Sequence, residues 1–256
     1  MHSHKLLIAA GGTGGHITPA LAIAEAFEAL GGQVRWIGTQ GGLESKMVPK
    51  KYRLRQINFN GVVGGSVWAK LKMPFALLRA LWQTHAVFRA VKPDMVLGMG
   101  GFPALPAGLY AWLTRTPLAI HEQNAVLGLS NRVLAKKADL CLSGFPQVFA
   151  DVAVAAMHVG NPVRASMDEV NARRDDWYKR QGPLFIVVVG GSRGAKILNE
   201  IVPLAMAHIP LSQRPKIVHQ TGAHQQAVVS QAYQKLGIEA TVLEFIDDMA
   251  AIYAQA

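Results

Sequence analysis

Short runs of apolar residues alternate along this chain with longer stretches in which apolar positions recur every three to four residues. Leu6 to Ala9 precedes a helical pattern over Ala20 to Leu30, and Val34 to Ile37 precedes one over Leu43 to Lys50. Met95 to Met99 is followed by Ala104 to Thr114, and Leu118 to His121 by Ser130 to Lys136. After Gly182-Pro183 the pattern resumes with Leu184 to Val189, Ala195 to His208, Lys216 to Gln220, Gln225 to Lys235 and Ala240 to Phe245. Such alternation predicts an α/β protein whose doubly wound parallel sheets carry helices on both faces. The turn-rich junction Val159-Gly160-Asn161-Pro162 divides it, since proline biases its neighbour away from helix, so two Rossmann-like domains are expected over 1–160 and 161–256. The charged segment Asp168 to Arg180 reads as a surface helix or connector. With three strand signals and a chain that stops inside a helical pattern, the second domain is expected to be incomplete.

Half of the 256 residues are hydrophobic, which excludes a disordered chain. Twenty-six Lys and Arg against 16 Asp and Glu give a net charge of +10, which favours an anionic partner. Nucleic acid is the weaker choice, because no zinc-ligand spacing, RNA-binding signature or dense Lys/Arg run accompanies the charge. The single cysteine, Cys141, excludes an internal disulfide framework and sits in a strand-like stretch that predicts an inert, buried thiol. The N-terminus lacks the apolar core of a secretory signal. Arg79, Arg89, Lys92 and Arg115 break up every region that approaches the ~18 apolar residues of a membrane span. The protein is therefore expected inside the cell, lying on a membrane at most.

Candidate chemistry gathers at the strand ends. Ala10-Gly11-Gly12-Thr13-Gly14-Gly15-His16 joins a strand to a helix, as an anion-binding turn at a helix N-terminus does. Gly190-Gly191-Ser192-Arg193-Gly194-Ala195 is a second instance. The dinucleotide fingerprint fails, because from Gly12 it would need Gly or Ala at Ile17, and the second strand ends Ile37-Gly38-Thr39-Gln40, without the acidic residue that would take the ribose. The P-loop pattern fails too, since Ala195-Lys196-Ile197 stands where Gly-Lys-Ser/Thr is required. His16, at the positive end of a helix dipole, is expected to be a neutral imidazole that either accepts a proton or orients the loop. Thr13 is either a donor to an anion or a turn residue. Met99-Gly100-Gly101-Phe102-Pro103 and His121-Glu122-Gln123-Asn124 close two further strands, so these turns should share the carboxyl edge of one sheet. Glu122 is either a site carboxylate or a cap for the helix after it.

Six motifs together resemble the MurG family of glycosyltransferases, family 28. They are Ala10 to His16, Pro93-Asp94 with Gly98 to Gly101, His121 to Asn124, Gly160-Asn161-Pro162-Val163-Arg164, Gly190 to Ala195 with Asn199, and Phe245-Ile246-Asp247-Asp248-Met249. The resemblance covers essentially the whole chain. It implies a GT-B fold and inverting transfer of GlcNAc from UDP-GlcNAc to the MurNAc 4-hydroxyl of lipid I, giving lipid II for peptidoglycan. It also implies donor contacts at Thr13, Gly14, Gly15, Asn124, Arg164, Ser192, Asn199 and Ile246, and an acceptor pyrophosphate on Gly11, Gly12, Gly100, Gly101 and Phe102. His16 becomes the candidate base, with Glu122 as runner-up or orienting partner. No Asp-x-Asp metal motif stands out, and no metal or cofactor is expected. The family pattern usually places hydroxyls after the second turn, where Phe102-Pro103-Ala104 has none. It also continues past the Asp-Asp-Met motif into a segment gripping uracil, ribose and GlcNAc, so weak donor binding and poor or no turnover are expected. A rival reading is a non-catalytic form that binds lipid I or membrane as a scaffold.

Given a polyprenyl acceptor, the stretch Lys70 to Lys92 gains a meaning. Met73, Leu77, Leu78, Leu81, Trp82 and Phe88 alternate with Lys70, Lys72, Arg79 and Arg89, as in a basic amphipathic helix on anionic lipid. Trp112 and Lys136-Lys137 would widen the patch. The competing reading turns the apolar stripe inward to the core. The resemblance places the protein peripherally on the cytoplasmic face of the bacterial inner membrane, with other cell-wall synthesis proteins as further partners.

Overall fold

The computed structural model describes residues 3–59, 67–167, 170, 179, 182–191 and 194–256, and for 67–71 the backbone alone. The chain divides into two compact units, Met1–Arg164 and Ala165–Ala256. The division thus falls at Arg164, so Gly160 to Arg164 belong to the first unit. The Asp168–Arg180 connector lies almost wholly outside the described residues.

The first unit runs β1 (Lys5–Ala9), α1 (Gly14–Ala29), β2 (Gln33–Thr39), α2 (Glu44–Met47), β3 (Arg55–Ile57), α3 (Val67–Val91), β4 (Met95–Gly98), α4 (Ala104–Leu113), β5 (Leu118–Glu122), α5 (Leu129–Leu134), β6 (Leu140–Ser143) and β7 (Ala156–His158). Its seven strands are all parallel, in the order β3-β2-β1-β4-β5-β6-β7. Alternate residues of β1 feed opposite faces, as the two-residue period of a strand requires. Leu6 and Ile8 pack with Ile17, Ala20 and Trp36, whereas Leu7 and Ala9 pack with Phe88, Val96, Ala107 and Leu134. Coverage on both faces is why the central strands read as continuous apolar runs. The strand order reverses between β1 and β4, and in open parallel sheets ligands bind at that switch point, beyond the carboxyl ends of the strands.

Several boundaries differ from the sequence reading. Helix α1 starts at Gly14 rather than Ala20 and carries Pro19 inside it. Two glycines and a proline hide that first turn from propensity, and burial of Ile17 and Ala20 overrides them. The stretch Leu43 to Lys50 yields only the single turn α2, then a 3-10 turn at Lys50–Tyr52 after Pro49. Strands β3 and β7 went unpredicted because each has three residues and neither alternates, with all of Ala156–His158 exposed. Cys141 is buried, and burial pushes its thiol pKa up.

The second unit runs β8 (Phe185–Val189), α6 (Lys196–Ala207), β9 (Lys216–Gln220), α7 (Gln226–Lys235), β10 (Thr241–Leu243) and α8 (Met249–Tyr253). Its parallel sheet has the order β10-β9-β8, over a core of Val188, Ile217, Val229, Tyr233, Ile238 and Val242. The first residue of α8 follows a true cap, in which Asp248 Oδ1 accepts from Ala251 N at 2.9 Å.

Candidate functional site

Adjacent strands β1 and β4 deliver the first two glycine turns to the same edge, and β5 delivers the third turn beside them. The two glycine turns touch. A Cβ on Gly101 would strike the Gly11 carbonyl, and one on Gly100 would lie 2.9 Å from His16 Cδ2 and 3.0 Å from Nε2. Both glycines have positive φ, +89° and +76°, so side chains are excluded by backbone conformation as well as by space.

His16 lies in the first turn of α1, where its N–H bonds the Thr13 carbonyl at 3.1 Å. Its Nδ1 and Thr13 Oγ1 are 3.0 Å apart, in hydrogen-bond contact. Thr13 is the residue before the helix, yet its hydroxyl serves His16 instead of capping a backbone N–H. Burial pushes the imidazole pKa below its ordinary 6.5, against weaker upward pulls from the Glu122 carboxylate and the Gly11 carbonyl. The neutral form expected from the helix dipole is therefore favoured chiefly by desolvation. The N–H groups of Gly14 and Gly15 open the helix and have no intrahelical acceptor.

Glu122 is 1% exposed and accepts four hydrogen bonds. Oε1 takes Asn124 N at 3.1 Å and Asn124 Nδ2 at 2.9 Å; Oε2 takes Gly128 N at 3.0 Å and Asn131 Nδ2 at 2.9 Å. Every strong acceptor direction of the carboxylate is spent on shaping the segment from β5 into α5. The geometry thus sets Glu122 as the organiser of this loop and the source of a negative field at His16. Two residues that sequence reasoning passed over complete the clasp. Gln123 Nε2 donates to the Met99 carbonyl at 2.8 Å, and Ser130 Oγ to the Gly101 carbonyl at 2.9 Å, tying the third turn to the second. Asn124 itself is exposed, but its amide nitrogen is held by Glu122. Gly100, Gly101 and Phe102 give their N–H groups to no protein acceptor among the described residues.

Gly12 differs from its neighbours. Its N–H donates to Glu44 Oε2 at 3.1 Å, so it is spent inside the protein and not offered to an acceptor pyrophosphate. Glu44 also escaped the sequence reading, its one signal being an acid two residues after the Gly41-Gly42 pair.

In the second unit Ser192 lies outside the described residues. Asn199 is 7% exposed and its Nδ2 donates to the Thr221 carbonyl at 3.0 Å, tying α6 to the end of β9. The N–H of Ile246 donates to Gln220 Oε1 at 3.0 Å, and Gln220 Nε2 holds the Gly191 carbonyl at 3.0 Å. Gln220 thus braces the glycine turn and the Ile246 backbone together, a role the sequence reading missed. Arg164 closes the first unit, exposed and ion-paired with Glu25 of α1 at 3.1 Å.

Helix α3 divides its apolar residues between two faces. Phe75, Leu78 and Trp82 are exposed at 75%, 64% and 74%, with Lys72, Arg79 and Arg89 also at the surface. Leu77 packs against the core and Phe88 is buried in it, so these leave the expected patch, Leu81 is half-buried, and Phe75 joins it. The Lys70 side chain lies outside the described residues. Trp112 is 49% exposed at the end of α4, beneath Lys137 Nζ at 5.2 Å from its ring centroid. Among the described residues no helix is long and apolar enough to cross a membrane, and no group of three or more candidate metal ligands occurs.

Comparison with known proteins fits this geometry. The glycosyltransferase family 28 N-terminal domain matches residues 6–142, and the glycosyltransferase family 28 C-terminal domain matches residues 185–256. The chain is 46% identical over 257 aligned residues to the UDP-N-acetylglucosamine--N-acetylmuramyl-(pentapeptide) pyrophosphoryl-undecaprenol N-acetylglucosamine transferase of Cupriavidus metallidurans, covering 100% of this chain and 71% of that one. It is 47% identical to the protein of the same name from Nitrosococcus oceani, covering 98% and 70%. Among solved structures it resembles Acinetobacter baumannii MurG, with a TM-score of 0.68 at 33% identity over 99% of this chain and 70% of that one. A UDP-GlcNAc 2-epimerase from Neisseria meningitidis, at 13% identity and a TM-score of 0.61, shares the fold alone. The fold class is that of the GT-B glycosyltransferases, and the chain belongs to glycosyltransferase family 28.

Proposed function

We propose that this protein transfers GlcNAc from UDP-GlcNAc to the MurNAc 4-hydroxyl of undecaprenyl-pyrophosphoryl-MurNAc-pentapeptide, with inversion, to give lipid II. The observation that carries the reading is His16: a neutral, desolvated imidazole set against the second glycine turn, in a chain 46% identical to a named transferase of that class. In the tautomer that gives the Nδ1 proton to Thr13 Oγ1, Nε2 keeps its lone pair. As the acceptor O4 forms its bond to C1 of GlcNAc, the bond from C1 to the UDP oxygen breaks and the O4 proton passes to Nε2. The N–H groups of Gly14, Gly15, Gly100, Gly101 and Phe102 supply the positive potential for a pyrophosphate. Arg164 is free to leave Glu25 for an anionic donor, because an exposed ion pair holds it by only ~0–1 kcal/mol.

The test follows lipid II formation from UDP-GlcNAc and lipid I. His16→Ala should lower kcat by roughly 10²- to 10⁴-fold, the usual contribution of a general base. The wild-type rate should fall as pH drops below 6.5, since the base must be neutral to act. Near-normal turnover of the variant would reject His16 as the base.

The exposed stripe of α3 supports peripheral attachment to anionic lipid, which would bring the lipid-linked acceptor to the site. On this reading the protein works at the inner face of the bacterial cytoplasmic membrane.

A further inference from the structure

Glu44 is fully buried, and among the described residues no cation pairs with it. Taking a carboxylate out of water costs several kcal/mol unless hydrogen bonds replace its hydration. Three do so here, divided between its two oxygens. Oε1 accepts from Thr39 N at 2.5 Å and Thr39 Oγ1 at 2.8 Å, which anchors it to the end of β2. Oε2 accepts from Gly12 N at 3.1 Å, in the first glycine turn. Three glycines make room for it: a Cβ on Gly11 would lie 2.6 Å from Oε1, one on Gly38 2.5 Å from Cγ, and one on Gly42 would run into Oε2. Gly11, Gly38 and Gly42 come from the ends of two strands and from the start of α2, so three segments converge on one side chain.

A plain phosphate cradle would not place a negative charge behind its own turn. The arrangement makes sense if the carboxylate withdraws one N–H from the turn and fixes the remaining ones. We propose that Glu44 is a positioning residue of the transferase site: it holds Gly12 so that the Gly14 and Gly15 N–H groups and His16 stand against the second glycine turn. This rests on the transferase reading given above. Glu44 touches no reacting atom and acts through Gly12, and through the contact of Gly11 with Gly101.

Glu44→Gln is the informative substitution because of that division of labour. The amide oxygen retains both Thr39 bonds, while the amide N–H₂ faces the Gly12 N–H, donor against donor. Thr39→Val is the control, removing one bond to the same carboxylate on the side away from the turn. In the full chain, with UDP-GlcNAc saturating and lipid I varied, kcat/KM for lipid I should fall roughly 10- to 100-fold in Glu44→Gln, the effect of losing one charge-assisted hydrogen bond at a site that demands alignment. The far-UV circular dichroism should stay at its wild-type value, which a general loss of folding would not spare, and Thr39→Val should stay within about threefold of wild type. Wild-type kcat/KM in folded Glu44→Gln, or equal losses in the two variants, overturns the proposal. Should Glu44→Gln fail to fold, Gly42→Ala takes its place, since its Cβ would press on both carboxylate oxygens while keeping the charge, and acceptor kcat/KM read beside Gly12 amide exchange decides. If the unaltered chain transfers no GlcNAc and does not bind UDP-GlcNAc, the transferase reading fails; wherever transfer is absent, Gly12 amide exchange decides this one separately. That exchange should rise at least about tenfold in Glu44→Gln and hold in Thr39→Val, because a released N–H loses its protection. Unchanged exchange in both sinks it.

Discussion

At the scale of single residues, the contacts between the glycine turns make unequal demands on positions that look alike in sequence. Gly12 and Gly101 both have positive φ, +85° and +76°, yet nothing lies within 4 Å of a Cβ on Gly12, whereas one on Gly101 meets the Gly11 carbonyl. Gly12→Ala therefore incurs only backbone strain, about 1–2 kcal/mol. Gly101→Ala adds a backbone collision that must move one turn off the other. Chemical denaturation should show Gly101→Ala as the more destabilised of the two, and lipid I kcat/KM should fall further in it. Equal effects would mean the turns do not depend on this contact. His16 was readable in the sequence as the polar end of a Gly-rich turn. Glu44 and Gln220 were not, because each acts through a partner more than 25 positions away, Gly12 and Ile246, and no local pattern marks such a pair.

At the scale of elements, long apolar runs and periodic stretches were readable wherever burial on both faces wrote them into the chain. The central strands β1, β4 and β5 fall close to the expected positions for that reason. Strands β3 and β7 were hidden because the sheet edge asks little of their side chains. Helix α3 shows a subtler limit, since periodicity announces an apolar face without saying whether it meets core or lipid. Both occur: Leu77 and Phe88 turn inward, whereas Phe75, Leu78 and Trp82 project outward among Lys72, Arg79 and Arg89. An outward aromatic and aliphatic stripe flanked by cations suits an anionic lipid surface, each nearby cation adding about 1 kcal/mol. Replacing Phe75, Leu78 and Trp82 with serine should leave folding intact, since these side chains bury little. Co-sedimentation with phosphatidylglycerol vesicles at low salt should then drop roughly tenfold or more, by loss of apolar burial. Leu77→Ser, by contrast, should destabilise the domain. A wild-type chain that ignores such vesicles would dismiss the lipid role of α3.

At the scale of the whole molecule, the alternation of strand and helix made the doubly wound class readable, together with a division into two domains. The division itself moved from residue 160 to Arg164, because the segment after Pro162 keeps its contacts with the first domain, Arg164 reaching Glu25 on α1. Each domain has its own core, and each stores a pH dependence that no motif announces. In the second domain His219 is fully buried, with Nδ1 2.9 Å from Tyr233 OH and its Nε2 without a hydrogen-bond partner among the described residues. Burial lowers the His219 pKa from 6.5 and pushes Tyr233 up from 10.0 to about 12. As pH falls below 6.5 the unfolded chain takes up a proton that folded His219 refuses, so stability present above that pH is lost. At the alkaline end, the unfolded tyrosine ionises from 10.0 while folded Tyr233 keeps its proton to about 12. Stability that is complete below pH 10.0 is therefore lost as pH rises through that window, by an amount of order 2–3 kcal/mol. Tyr52 in the first domain, whose pKa burial also raises, contributes in the same direction. The difference between wild type and Tyr233→Phe isolates the second domain's share. Denaturant titrations at pH 8 and pH 11 should show a smaller alkaline loss in Tyr233→Phe, even though the variant starts less stable for want of the His219 contact. Parallel losses in the two proteins would place the alkaline sensitivity outside this pair.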